Sequence, residues 1–108
     1  MSALLVFTNL PDRESADRIA RAVVDARIAA CVNVLAPARS VYRWKGTVET
    51  AEEIPMLIKT TEERYLDLEK TLRELHPYEL PEIVALRIDG GLPAYLEWVA
   101  AESQPAVS

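Results

Sequence analysis

The spacing of apolar and polar residues changes period several times along this chain, and each change marks an element. Leu4-Leu5-Val6-Phe7-Thr8 is a short continuous apolar run, which fits a central strand with neighbours on both sides. Pro11-Asp12 then opens a helix with Asp12 as N-cap. Ala16, Ile19, Ala20, Val23 and Val24 recur there at helical spacing, while Asp17, Arg18, Arg21 and Asp25 take the other side. From Ala30 to Leu35 the residues are small or β-branched and alternate as a strand does. Pro37 interrupts this strand, Arg39 to Trp44 resumes it, Lys45-Gly46 signals a turn, and the return strand runs from about Thr47 to Lys59.

A second helix begins at the capping box Thr60-x-x-Glu63 and carries the stripe Tyr65, Leu68, Leu72, Leu75. It stops before Pro77, because a proline disfavours helical backbone at the preceding residue, His76. Ile83 to Ile88 reads as the last strand and Asp89-Gly90-Gly91 as a turn. Pro93 starts a short helix bearing Tyr95, Leu96, Trp98 and Val99.

The order strand, helix, hairpin, helix, strand is a split βαβ unit. Right-handed connections place its two helices on one face of an antiparallel sheet. The expected fold class is therefore α+β: a ferredoxin-like βαββαβ sandwich with long hairpin strands and an extra C-terminal helix. The expected organisation is a single domain over residues 1–102 and a flexible tail over 103–108.

The hairpin is long for so small a chain. An arm of about 13 residues measures on the order of 40 Å, against an expected radius of gyration near 13 Å. One end must overhang the core, carrying Tyr42 and Trp44 with it. Exposed edges of this kind are normally covered by another chain, so self-association is expected.

Composition narrows the partners. The net charge of −5 opposes nucleic acid and anionic membranes, which select clustered Lys and Arg, and leaves metal cations open. A single cysteine excludes an internal disulfide framework. The N-terminus lacks a secretory signal pattern, and the longest uncharged run, Ile28 to Ala38, is far short of a membrane span. A cytoplasmic protein without a membrane segment is the expectation.

The richest stretch chemically is His76-Pro77-Tyr78-Glu79-Leu80-Pro81-Glu82, where two prolines stiffen a connector holding the only histidine. His76 suits copper or zinc through an imidazole nitrogen, with Glu79 and Glu82 as oxygen donors; the alternative is a well-ordered turn. One imidazole per chain makes a weak site unless copies meet around a symmetry axis. Cys31 is a nucleophile only if His76 stands within reach, and otherwise a small core residue. Lys59 either binds an anion at the sheet rim or lays its stem along the core edge. Tyr42 and Trp44 share a strand face and either stack on a ligand or pack between subunits. Glu52 and Glu53 read as a solvated bend. No phosphate loop, paired Cys/His zinc spacing or RNA-recognition motif is present.

Five ordered blocks carry a resemblance. They are Ala29-Ala30-Cys31-Val32-Asn33-Val34, Ser40-Val41-Tyr42-Arg43-Trp44-Lys45-Gly46, Ile58-Lys59-Thr60-Thr61, His76 to Glu82, and Tyr95-Leu96-Glu97-Trp98. Together the chain resembles the CutA divalent-cation tolerance family from Val6 to about Val99. The resemblance implies a ferredoxin-like subunit in a PII-like homotrimer, a role in tolerance of divalent metal ions, chiefly copper, and no enzymatic reaction.

His76 matches the histidine of the family's His-Pro-Tyr block. Cys31, Asn33, Tyr42, Trp44, Lys59, Tyr78, Pro81 and Glu82 match positions that are candidates for a pocket between subunits. Two departures remove soft or borderline donors: Thr8 stands where some members carry cysteine, and Leu75 where some carry a second histidine. The alternative function is a PII-like regulatory module with a small anionic ligand between subunits near Lys59, Tyr42 and Trp44.

Overall fold

Alternation in the first strand, β1 (Ala3–Leu10), sends Leu4, Val6, Thr8 and Leu10 inward and leaves Leu5, Phe7 and Asn9 only partly buried on the other side. In the computed structural model, which describes residues 2–106, this strand lies between the two partners expected of a central strand. Its neighbours are β4 (Thr47–Thr61) and β5 (Val84–Arg87), both antiparallel. β2 (Cys31–Val34) and β3 (Ala38–Trp44) pair in turn with β4, giving the order β2-β4-β1-β5 with β3 continuing alongside β4.

Helices α1 (Arg13–Asp25) and α2 (Glu62–Leu75) cover one face of this sheet. Ala16, Ile19 and Val23 of α1 and Leu68 and Leu72 of α2 join Leu4, Val6, Leu10, Ile54, Met56 and Ile58 in one buried core. Fully burying an aliphatic side chain is worth roughly 1.5–3 kcal/mol, so this shared layer is what holds the two helices to the sheet. Asp12 caps α1 as expected, accepting the Ser15 N–H at 2.7 Å.

The capping box at Thr60 does not form. The strand runs two residues further than the sequence pattern predicts, because Ala3 and Leu4 of β1 still pair with Thr61 and Thr60. Thr60 is fully buried and donates its hydroxyl to the Ile28 carbonyl at 2.7 Å, so Thr61 becomes the N-cap, without a side-chain hydrogen bond. A buried carbonyl in need of a donor outcompeted the helix end.

α3 (Pro93–Glu102) lies across one end of the opposite sheet face, where Val99 packs with Ala3 and Ala30. The ordered chain does not stop at Glu102. Ser103 is fully buried, and the Arg27 guanidinium donates to the carbonyls of Gln104 at 2.8 Å and Ala101 at 3.1 Å, which ties these residues to the segment after α1. Residues 107 and 108 of the expected tail lie outside the described residues.

The rest of that face has no covering layer. Leu86 and Val84, which pair with Leu5 and Phe7, are 54% and 47% exposed. The hairpin overhangs as its length requires: the longest dimension is 46 Å, and Val41 and Val48 near its tip stand 64% and 58% exposed. Among the described residues no helix is long and apolar enough to cross a membrane.

Candidate functional site

The connector after α2 is built as its prolines require. His76 is the C-cap, with extended backbone (φ −74°, ψ 133°) and its N–H still bonded to the Leu72 carbonyl at 2.8 Å. Its side chain turns inward and is nearly buried. Nε2 lies 2.8 Å from the Asn9 carbonyl and Nδ1 lies 3.2 Å from the Tyr78 N–H. A carbonyl can only accept and an N–H can only donate, so the imidazole is the neutral tautomer protonated on Nε2. Burial lowers its pKa below the ordinary value of 6.5, against the smaller opposing pull of the Asn9 carbonyl and the Glu53 charge.

This geometry changes what His76 does. Both ring nitrogens are engaged, so no lone pair faces outward for a metal. The connector's other expected donors do not gather around it either: Glu82 accepts from the Asn9 side-chain amide at 2.8 Å. Among the described residues no group of three His, Cys, Asp or Glu side chains is placed to hold a metal ion. The set His76, Glu79 and Glu82 is therefore not assembled within one chain. Asn9 clamps both ends of the connector instead, its carbonyl holding His76 and its amide holding Glu82.

Tyr78, stacked obliquely on His76 with ring centroids 4.8 Å apart, donates its hydroxyl to Glu53 Oε2 at 2.8 Å. Burial raises the phenol's pKa, and the hydrogen bond to Glu53 and that carboxylate's charge add to the shift. Glu53 is not part of a solvated bend. It lies inside β4 opposite Ala38 and is only 9% exposed, because the connector folds over it. Glu52, its neighbour on the strand, is exposed as expected.

Between the overhanging hairpin and the connector lies an open cleft of about 840 Å³. Tyr42 and Trp44 line it from β3 and Tyr78 from the connector. Glu49, Glu52, Glu53, Glu79 and Glu82 also line it, and no Lys, Arg or His does. The surface is thus aromatic and strongly anionic.

The remaining predicted ligand residues form a separate group on the opposite sheet face, at the end that α3 covers. Cys31 pairs with Lys59 across β2 and β4. The Lys59 ammonium donates to Asn33 Oδ1 at 3.1 Å and stands 5.6 Å from the Tyr95 ring, and Cys31 Sγ is 4.0 Å from the same Asn33 oxygen. His76 makes its contacts with Asn9 and Tyr78, so it does not activate Cys31. Lys59 is also absent from the cleft that holds Tyr42 and Trp44, which divides the ligand set expected for an anion.

Sequence reasoning missed Glu53 and Asn9, which anchor the site, and Tyr95, which faces Lys59. The one hint was that a tyrosine in a rigid connector needs a partner for its hydroxyl.

Comparison with known proteins agrees with this architecture. The family described as CutA1 divalent ion tolerance protein matches residues 4–102. Protein CutA of Mus musculus is 43% identical over 98 residues, which are 91% of this chain and 55% of that protein. The chain thus spans about half the length of that relative. The divalent-cation tolerance protein CutA of Thermus thermophilus is 43% identical over 95 residues, 88% of this chain and 92% of that one. The crystal structure of CutA from Xylella fastidiosa superposes with a TM-score of 0.93 at 43% identity, covering 96% of this chain and all of that chain.

Proposed function

The chain belongs to the CutA1 divalent ion tolerance family, and from that premise we propose that it is a divalent-cation response protein acting as a homotrimer in the cytoplasm. In this reading the subunit is ferredoxin-like, the assembly is PII-like, and the role is binding without a catalytic step. The observation that carries the cation reading is the cleft beside the hairpin, where five carboxylates and no basic side chain face one space. Such a surface concentrates cations and repels anions. It also weakens the anionic-ligand alternative, whose lysine sits elsewhere.

Copper is the proposed metal, bound weakly. Glu79 and Glu82 offer hard oxygen donors, and His76 adds its nitrogen only if the Tyr78 N–H or the Asn9 carbonyl is given up. A complete coordination shell then draws on carboxylates of more than one connector or subunit. The uncovered sheet face around Leu86 and the 46 Å length support assembly, since both leave apolar strand surface in need of cover.

Calorimetry with Cu(II) on wild type, His76→Ala and the double variant Glu79→Gln/Glu82→Gln tests the metal reading. Binding lost in the carboxylate variant supports it, and equal affinity in all three defeats it. Light scattering must give three times the subunit mass; a monomer would remove the trimer.

A further inference from the structure

Arg27 holds left-handed backbone (φ 60°), a region that glycine enters freely and arginine at a cost. The position closes the turn after α1, where its N–H bonds the Val24 carbonyl at 3.0 Å. Glycine would serve that turn better. What arginine adds is its side chain, which reaches the far end of α3: Nε donates to the Gln104 carbonyl and Nη2 to the Ala101 carbonyl. One charged fork thus fastens a helix end that lies 74 and 77 residues further along the chain.

Apolar packing of α3 adds little to this clasp. Among its ten residues only Val99 is buried, while Tyr95 and Trp98 stand 39% and 43% exposed. Its N-cap, Leu92, makes no side-chain hydrogen bond to the first turn. Gly90 and Gly91 precede it, and at Gly90 nothing lies within 4 Å of where a Cβ would stand. A helix with few buried apolar contacts, joined to the sheet through open glycines, separates more readily than the core does.

The closed position also carries a cost. Ser103, the C-cap of α3, is fully buried, and its hydroxyl has no hydrogen-bond partner among the described residues. A desolvated, unpaired hydroxyl favours any state that returns it to water.

We infer that α3 is a strap that opens without unfolding the core, hinged at Gly90–Gly91 and latched by Arg27. When it lifts, the Tyr95 ring leaves the Lys59 ammonium, 5.6 Å away in the closed position, and uncovers the Lys59–Asn33 pair on the sheet. The acidic cleft on the other side of the subunit takes no part.

Hydrogen–deuterium exchange on the native full-length protein, read by mass spectrometry on peptides from α3, α1 and β1, tests this. A ten-residue helix is marginal alone in water, so the amides of α3 exchange once it lifts. In wild type α3 is expected to exchange at least about tenfold faster than β1. Arg27→Gly keeps the left-handed turn and removes the latch, so α3 exchanges about tenfold faster again while β1 and α1 do not change. Ser103→Ala removes the unpaired hydroxyl and acts in the opposite direction, slowing α3 about fivefold. Arg27→Lys keeps the charge without the fork, is expected between wild type and Arg27→Gly, and replaces the latter should it fail to fold.

Exchange of α3 at the rate of β1 in wild type overturns the strap; a neighbouring subunit pinning α3 would give this result. So does equal α3 exchange in wild type and both Arg27 variants. Arg27→Gly speeding β1 as much as α3 would make Arg27 a support of the whole fold and not a latch. Unchanged or faster α3 exchange in Ser103→Ala also counts against the strap.

Discussion

Tyr78 donates its hydroxyl to Glu53 across 2.8 Å, joining a rigid connector to a strand 25 residues earlier in the chain. This bond seats the connector against the sheet and fixes one wall of the cleft. Its partners are unequal, because Tyr78 satisfies its only side-chain donor there while Glu53 keeps a second oxygen.

Removing the phenolic oxygen isolates the carboxylate. Tyr78→Phe is expected to destabilise the fold by about 1–3 kcal/mol, the cost of an unsatisfied buried acceptor. Glu53→Gln keeps an acceptor and is expected to cost less. Denaturant unfolding at one fixed protein concentration compares the two; equal stability of Tyr78→Phe and wild type would show that the bond contributes nothing.

The pH dependence follows from His76. Its folded pKa is depressed below the ordinary 6.5, chiefly by burial, so the unfolded chain binds more protons than the folded one as the solution is acidified. The stabilisation is complete above pH 6.5 and is lost as pH falls below it toward the folded pKa. Protonation also places a hydrogen on Nδ1, facing the Tyr78 N–H. Thermal melts between pH 7.5 and 5.5 should show wild type losing stability with a steeper slope than His76→Gln. Identical slopes would mean that another group titrates.

Two adjacent threonines separate helix capping from core hydrogen bonding. Thr60→Val strands the Ile28 carbonyl and is expected to cost about 1–3 kcal/mol. Thr61→Ala loses a cap that makes no side-chain bond, and is expected to cost below about 0.5 kcal/mol. Chemical denaturation measures both, and the reverse ranking would restore the capping box at Thr60.

Assembly is testable at the uncovered sheet face. Leu86→Glu puts a charge on a residue 54% exposed in the subunit, so the subunit fold should survive while association fails. Circular dichroism unchanged from wild type together with a monomeric mass is the expected pair of results. A trimer retained in Leu86→Glu would place the interface elsewhere.

Periodicity and backbone chemistry made the framework legible in the sequence. The 3.6 spacing of Ala16, Ile19 and Val23, the Lys45-Gly46 turn signal, the Asp12 cap and the Pro77 stop are local properties, and each element formed where they point. The family was legible for the same reason, since its motif blocks are contiguous in the chain.

Contacts between distant segments were decided only by the tertiary structure. Glu53 sits in a polar run, Thr50 to Glu53, that reads as solvated, and becomes buried because a connector from beyond α2 folds over it. Thr60 looks like a cap until Ile28 presents a buried carbonyl. His76 was the most conspicuous residue and remains central, but as the neutral link between Asn9 and Tyr78 rather than as an open ligand. The physical reason is common to all three: a polar side chain's role depends on which partner burial brings to it, and spacing along the chain does not encode that partner.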